Sequence, residues 1–219
     1  MTIKSLDLRE EVVEELAFDP QVTSDDVAVT ARDGVVTLRG TVPNFFQKWQ
    51  AVEAVKRVRG VRGVADELTV DLPSMHKRDD TDIALAIEHR MASNSLLPPA
   101  IAFVVKDGHV TLSGEVTWQY QAQEAAHETR RVVGVRDVIN LITIKARNGP
   151  DADEIKRRIH GEFQRMADFD AKGVDVAISG GAVTLSGSVR TWPEWDRASG
   201  VAWSLPGVTS VKNLIGVAC

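Results

Sequence analysis

The side chains best suited to acid–base or metal chemistry in this chain are its five histidines: His76, His89, His109, His127 and His160. No two of them have the spacing that places two imidazoles on one metal from a single strand or helix. The only cysteine, Cys219, offers neither an internal disulfide nor a zinc cluster. The Ser179-Gly180-Gly181 stretch lacks the lysine of a phosphate-binding loop. We therefore predict no catalytic residue, no metal site, no bound cofactor and no enzymatic activity.

Large aromatic side chains offer non-covalent chemistry instead. The chain has six Phe, one Tyr and five Trp, and seven of these fall where a predicted strand leads into a predicted helix: Phe45, Phe46, Trp49, Trp118, Tyr120, Trp192 and Trp195. Aromatic residues at such junctions suit a partner surface or a membrane interface. They could equally cover a small local hydrophobic core, and the sequence leaves both interpretations open.

Basic residues collect near the ends of two predicted helices and could contact anionic lipid headgroups: Lys56, Arg57, Arg59, Arg62, Arg130, Arg131 and Arg136. Each cation near an anionic membrane contributes about 1 kcal/mol. The same cations also complement the helix dipole, by roughly 0.3–1 kcal/mol each, which is the simpler explanation. The net charge is −5, so the chain lacks the excess of Lys and Arg that nucleic-acid binding requires.

The elements that position these residues occur three times. The segments GVVTLRGTV from Gly34, GHVTLSGEV from Gly108 and GAVTLSGSV from Gly181 are near-copies spaced by 74 and 73 residues. A second glycine marker keeps the same spacing, at Gly60, Gly134 and Gly207. Two markers with one period indicate tandem modules. We predict modules over 1–72, 79–146 and 150–219, joined by linkers over 73–80 and 147–150.

Each module shows the same pattern of elements. Apolar residues at i, i+4 and i+8, such as Leu8, Val12 and Leu16, predict an amphipathic helix. Period-two alternation on both sides of the first glycine predicts two strands joined by a tight turn, Asp33-Gly34 in the first copy, Asp107-Gly108 in the second and Gly180-Gly181 in the third. A second helix and a last strand follow. The fold class is therefore α+β, with three α-β-β-α-β modules, each a small three-stranded mixed sheet packed against two helices.

The glycine markers carry structural predictions of their own. Gly40, Gly114 and Gly187 lie inside the second strand, where glycine weakens a sheet, so we expect a bulge or a close approach of the packed helix. Gly60, Gly134 and Gly207 are expected to end the second helix as C-caps.

One position differs informatively between the copies. Lys56 and Arg130 correspond to Trp203 in the third module. A position that is cationic in two copies faces solvent on that helix, so we expect Trp203 to lie outside its module's core, covered by a neighbouring module or by another copy of the chain.

The glycine pattern, the VTLxG strand and the α-β-β-α-β order resemble the BON domain family, named for bacterial osmotic-stress and nodulation proteins. The carriers of the resemblance are Gly34, Gly40, Gly60, Gly108, Gly114, Gly134, Gly181, Gly187 and Gly207. The resemblance implies a non-enzymatic protein associated with phospholipid surfaces and with envelope integrity under osmotic stress, generally from the periplasm or outer membrane. It also implies an alternative, because one cytoplasmic relative senses potassium.

The predicted function is a non-catalytic, stress-associated binding protein whose three modules form a multivalent surface for phospholipid headgroups or protein partners. One alternative is a cytoplasmic potassium sensor that uses main-chain carbonyls. The other is a structural protein that self-associates as a homo-oligomer. The acidic N-terminal stretch has no apolar signal segment, and no run is long enough to span a membrane, so we predict a cytoplasmic location without a transmembrane segment.

Overall fold

A computed structural model of the chain describes residues 3–73, 77–145, 152–165 and 173–218. The predicted second linker, residues 74–76 of the first linker (His76 among them) and Cys219 lie outside the described residues. Module 1 contains α1 (Ile3–Phe18), β1 (Val27–Arg32), β2 (Val35–Val42), α2 (Phe45–Arg57) and β3 (Gly63–Val70). Module 2 contains α3 (Asp80–Ser93), β4 (Ile101–Lys106), β5 (His109–Val116), α4 (Gln119–Arg130), β6 (Asp137–Asn140) and β7 (Thr143–Ile144). Module 3 contains α5 (Ala152–Arg165), β8 (Val174–Ser179), β9 (Ala182–Val189), α6 (Trp192–Trp203) and β10 (Ser210–Val217).

The three sheets share one topology. In each, the first two strands pair antiparallel and the third strand runs parallel to the second, which lies in the middle. In module 2 the third strand is divided into β6 and β7, both of which pair with β5. The α+β fold class predicted from the sequence is confirmed.

Each module has its own hydrophobic core between its sheet and its two helices. The predicted helical stripe of module 1, Leu8, Val12 and Leu16, is buried, and so are Ile155, Ile159 and Phe163 in module 3. On or beside the third strands, apolar side chains pack against the same cores: Val64, Leu68, Val138, Ile142, Val211 and Ile215. Periodicity therefore identified the buried faces correctly.

The glycine inside the second strand has a different cause from the one expected. Gly40 has φ +137° and pairs in register with Val27, so the strand has no bulge there. A Cβ at Gly40 would lie 1.9 Å from the carbonyl oxygen of Asp26. The equivalent distances are 2.3 Å at Gly114 and 2.0 Å at Gly187. The close neighbour is the backbone that enters the first strand, not the packed helix, and the predictions of a bulge or a helix contact were wrong.

The glycine that follows the second helix does not act as its C-cap. Helix α2 ends at Arg57 with Val58 as its C-cap, and Gly60 lies two residues further on at φ +94°. In this turn the backbone of Gly60 lies against the hairpin glycine Gly34. A Cβ on Gly34 would lie 3.2 Å from the carbonyl oxygen of Gly60. The glycines therefore allow the turn after the helix to pack on the tip of the hairpin.

The three hairpin turns are not identical. Asp33-Gly34 and Asp107-Gly108 have positive φ at both central residues, as a type I′ turn requires. In the third copy Gly180 has φ +58° but Gly181 is not in the left-handed region. The prediction that Gly180-Gly181 adopts the same geometry was wrong, since positive φ at the first position alone is the pattern of a type II′ turn.

A polar residue on each third strand ties the strand to the second helix. The Asn213 side-chain amide donates to the carbonyl oxygen of Trp195 (3.3 Å), and Asn140 donates in the same way to Ala122 (2.8 Å). In module 1 the equivalent Asp66 forms an ion pair with Lys48 (3.3 Å). This recurrent tether fixes the second helix, the element that carries the site described next.

Candidate functional site

The modules meet through their second helices. From α2, Phe46 and Trp49 place their rings edge-on against His127 of α4, with centroid distances of 6.0 and 6.2 Å. The guanidinium of Arg130 lies 4.9 Å from the centre of the Trp49 ring, and that of Arg131 lies 4.9 Å from the centre of Phe46. Phe45 packs against the core of module 2. The aromatic junction of module 1 is therefore covered by module 2.

Module 3 contacts module 1 in a similar way. Trp192, at the start of α6, packs against the core of module 1 and meets Trp195 in a T-shaped arrangement at 5.5 Å. Asp196, one turn further along α6, interacts electrostatically with Glu53 and Lys56 of α2. Helices α2 and α6 are thus in direct contact.

Modules 2 and 3 face each other across a cleft of about 920 Å³. Its lining comes from all three modules: Glu53 from the first, Trp118, Gln119, Tyr120 and Gln123 from the second, and Trp195, Asp196, Ser199, Gly200, Trp203, Ser204, Val211 and Asn213 from the third.

The two contacts and the cleft use equivalent positions of the three modules. Phe46 and Trp49 of module 1 correspond to Tyr120 and Gln123 of module 2, and Trp49 also corresponds to Asp196 of module 3. The surfaces they face are equivalent as well: His127, Arg130 and Arg131 in module 2, Gly200, Trp203 and Ser204 in module 3, Glu53, Lys56 and Arg57 in module 1. One side of each second helix faces the next module and the other side faces the previous one. The modules are therefore arranged in a cycle, in which module 1 contacts modules 2 and 3 directly and the cleft lies between modules 2 and 3.

The centre of this cycle is charged. Glu53 and Lys56 form an ion pair at 2.8 Å. Partial burial against the neighbouring helices raises the pKa of Asp196, and the nearby Glu53 carboxylate raises it further while Lys56 opposes the shift. Burial at the interface lowers the pKa of Arg130, and Glu53 opposes that shift. Glu53 thus interacts with charged groups of both other modules.

Hydrogen bonds hold one wall of the cleft in place. The indole nitrogen of Trp195 donates to the carbonyl oxygen of Ile215 at 3.1 Å. The Asn213 amide donates to Ser199 Oγ at 2.7 Å as well as to Trp195. These contacts fix the orientation of side chains that face the cleft.

The remaining predicted aromatic residues lie in or beside the cleft. Trp203 is half-buried, packs on the outside of its own module's core and faces the cleft towards module 2. Tyr120 is 50% exposed, and Trp118 is half-buried. The aromatic residues thus form contacts between modules as well as within them. The sequence of a single strand-to-helix junction does not indicate the contacts between modules.

Most of the basic residues considered for headgroup contacts have partners within the chain. Arg57 forms ion pairs with Glu15 (2.7 Å) and Asp19 (2.8 Å), and Arg62 donates to the carbonyl oxygen of Asp33 at the hairpin turn. Lys56, Arg130 and Arg131 make the contacts described above. Arg59 and Arg136 are exposed and form no ion pair within the described part of the chain.

The histidines are not brought together. His127 lies among aromatic rings at the first interface, and His109 lies 3.9 Å from Asp137 on the surface of module 2. Within residues 3–73, 77–145, 152–165 and 173–218, no three His, Cys, Asp or Glu side chains converge as a metal site. A potassium site built from main-chain carbonyls remains a prediction.

The polar members of the cleft, Glu53, Asp196 and Asn213, are not among the residues predicted from the sequence. A signal was present, because Trp49, Gln123 and Asp196 occupy one position in the three copies and change from aromatic to amide to carboxylate. The role of the side chain at this position depends on which module faces it, and the repeat pattern does not indicate that.

No helix in the described ranges is both long and apolar enough to cross a membrane.

Comparison with known proteins gives one family. The BON domain model matches residues 5–71, 79–146 and 151–219. The osmotically-inducible protein Y of Escherichia coli strain K12 is 31% identical over 148 residues, which cover 62% of this chain and 71% of that protein.

Two solved structures also match along nearly the whole chain. Both come from CdsD, a structural protein of the type III secretion system of Chlamydia trachomatis, and both are 17% identical. One match covers 97% of this chain and 92% of that chain with a TM-score of 0.27, and the other, of the C-terminal domain, covers 98% of both with a TM-score of 0.26.

Proposed function

The chain belongs to the BON domain family, and from that premise we propose that it is a stress-associated binding protein whose three modules act as one unit. The family and the osmotically-inducible relative support a stress-associated, non-catalytic role. The sequence suggested three separate weak binding sites that gain from multivalency. The contacts between modules support a different arrangement, in which the modules share one composite surface.

The observation that carries this proposal is the cyclic arrangement of the second helices, with module 1 in contact with both other modules. The cation–π pairs and T-shaped rings at the first interface, and the packing of Trp192 on module 1, use the residues that independent modules would expose. Aromatic and cation–π contacts of this kind contribute about 0.5–1.5 kcal/mol each. Several such contacts favour a single unit over three modules that move independently.

The open sheet face of module 2 is the surface best suited to a partner. Val104, Thr111 and Ile139 form one row across three strands, and Leu141 follows on the same edge. Val104 is 67% exposed and Leu141 60% exposed. The copies differ here, since Thr30 and Ala177 correspond to Val104, and Ala65 and Lys212 to Ile139. Large aliphatic side chains occupy both of these positions in module 2 only, so the fold does not require them.

The charge distribution favours a protein partner over an anionic membrane. The net charge of −5 opposes adsorption to anionic lipid, and most of the candidate cations contact groups of this chain. The face of module 2 carries mixed charge at its border, with Lys145 paired to Glu115 (3.3 Å). An apolar centre with a polar rim is typical of a surface that binds another protein.

A photo-crosslinking amino acid at position 104 tests this proposal. The matched controls are the same amino acid at the equivalent positions 30 and 177. We expect position 104 alone to crosslink one protein from osmotically stressed cells, and we expect the purified pair to reconstitute a complex that Val104→Ser together with Ile139→Ser weakens at least tenfold. Identical products from all three positions would contradict the proposal.

Co-sedimentation with vesicles tests the phospholipid alternative directly. Phosphatidylglycerol mixed into phosphatidylcholine is compared with phosphatidylcholine alone at low salt. We expect equal pelleting in the two preparations. Pelleting that requires phosphatidylglycerol and disappears at high salt would assign the surface to anionic lipid instead.

A further inference from the structure

The cleft at the meeting point of the three modules has a chemical character of its own. Four aromatic side chains line it, Trp118 and Tyr120 from module 2 and Trp195 and Trp203 from module 3. Its volume of about 920 Å³ lies within the range of small-molecule sites, and its walls mix apolar surface with a few polar groups.

The charged groups that line the cleft are both acidic. They are Glu53 and Asp196, and no Lys or Arg of the described residues is part of the lining. Glu53 is paired with Lys56 at 2.8 Å, and Arg130 lies near it on the other side. Asp196 has no ion pair within the described residues. Its carboxylate is therefore the lining negative charge that has no ion pair among the described residues, with Lys56 acting on it only at longer range.

Two further observations point to a positively charged ligand for this carboxylate. Asp196 occupies the position that holds Trp49 and Gln123 in the other modules, so the fold does not require an acid there. Burial and the neighbouring Glu53 carboxylate also raise its pKa while Lys56 opposes the shift, so an added cation beside Asp196 would stabilise its ionised form.

The aromatic walls select among possible cations. The faces of Trp and Tyr attract cations whose charge is spread over alkyl groups, because such ions lose little hydration on binding. A bare metal ion needs several oxygen ligands, and no such group of carboxylates converges in the described part of the chain. An anion would meet two carboxylates and no lining cation.

We propose that this cleft binds an organic cation of the alkylammonium class, with Trp118, Tyr120 and Trp203 contacting the alkyl groups and Asp196 supplying the opposite charge. Asn213 and Ser199 position the wall beside it through their hydrogen bond. This site goes beyond the proposed protein-binding role, which uses the opposite, sheet side of module 2.

Isothermal titration calorimetry of the full chain with choline tests the proposal. The matched ligand is 3,3-dimethylbutan-1-ol, which has the shape of choline without its charge. We expect choline to bind and the neutral alcohol to bind at least tenfold more weakly. No choline binding, or equal binding of both ligands, would overturn the proposal without bearing on the crosslinking result at position 104.

Two variants locate the site. Asp196→Asn and Tyr120→Ala change solvent-accessible side chains, and each is expected to weaken choline binding about tenfold. Their controls are Asp175→Asn, an exposed acid on β8, and Phe18→Ala, an aromatic residue that is 86% exposed outside the cleft. The controls should bind as the wild type does. Unchanged affinity in Asp196→Asn, with a wild-type circular dichroism spectrum, would show that choline binds elsewhere and overturn the assignment.

An alkylammonium group can come from a free solute or from a phosphatidylcholine headgroup. Binding of free choline in calorimetry, with no pelleting on phosphatidylcholine vesicles, assigns the site to a solute. Pelleting that free choline abolishes, and that Asp196→Asn reduces, assigns it to the headgroup. Pelleting that neither treatment changes would contradict binding of a headgroup in the cleft.

Discussion

At the residue scale, identical and variable positions have different physical origins. Gly40 and its counterparts are identical because the carbonyl oxygen of the residue before the first strand occupies the space that a Cβ would fill. Trp49 and its counterparts Gln123 and Asp196 vary because each faces a different module. What a residue contacts, and not its place in the repeat, decides whether it can change.

Gly40→Ala should be among the most destabilising substitutions in the chain. It combines positive φ with a Cβ placed 1.9 Å from the carbonyl oxygen of Asp26, so the backbone of β1 must move. We expect a loss of about 3 kcal/mol or more in the free energy of unfolding, or failure to fold. Urea denaturation followed by circular dichroism measures it.

Gly200→Ala is the matched control for that prediction. Gly200 lies within α6, and a Cβ there would meet nothing within 4 Å. The substitution should leave stability unchanged or raise it by about 0.5–1 kcal/mol, because alanine restricts the unfolded chain. Equal destabilisation by both substitutions would refute the explanation from close backbone approach.

At the element scale, the second helix of each module has two packing surfaces. Its inner face is buried against the module's own sheet, as Ala51, Ala54 and Val55 are in α2, while its outer face carries the contacts between modules. The orientation of the helix on its sheet therefore controls the geometry of the interface. The polar tether from the third strand, Asn213 in module 3, sets that orientation.

Asn213→Ala should loosen α6 without abolishing the fold. It removes two donated hydrogen bonds and the one that Asn213 Oδ1 accepts from the backbone nitrogen of Ile215 (3.0 Å). We expect a loss of about 1–3 kcal/mol, with faster amide exchange in α6. Lys212→Ala, at the exposed neighbouring position, should change stability by less than about 0.5 kcal/mol. A similar loss in both variants would show that the tether is unimportant.

At the scale of the whole molecule, the cycle of second helices converts three small domains into one body. A module of about 70 residues is marginally stable alone, because it buries a modest share of its surface. Covering Phe45, Phe46, Trp49 and Trp192 with a neighbouring module adds apolar burial that no module supplies for itself. The charged centre and the cleft exist only in this assembled state.

Trp49→Ala should separate modules 1 and 2 while leaving each folded. It removes the stacking of Arg130 and the ring contact with His127, which we expect to weaken the interface by about 1–2 kcal/mol. Small-angle X-ray scattering should show a larger radius of gyration, and thermal unfolding should become less cooperative, with little change in the circular dichroism spectrum. Phe18→Ala, which removes an exposed aromatic ring, is the control. An unchanged scattering profile would contradict the cyclic arrangement.

The sequence alone determined the number of modules, the order of their elements and the apolar faces of their helices and strands. These features follow from local periodicity and from spacings that repeat three times, and both are written along the chain. The resemblance to the BON family rested on the same glycines, and the family comparison confirmed it. The sequence did not predict why Gly40 must be glycine. The group that excludes a side chain there is a backbone carbonyl oxygen, and a sequence pattern does not locate backbone atoms of a neighbouring strand.

Only the tertiary structure decided which residues of different modules meet. Glu53, Tyr120 and Asp196 line the same cleft although each belongs to a different module. Contacts of this kind depend on how the folded modules pack against one another. The hydrophobic periodicity of each module would be the same in any such packing, so it does not predict which residues meet. The aromatic junctions were visible in the sequence, but whether they face solvent, a partner or the next module is a property of the assembled chain.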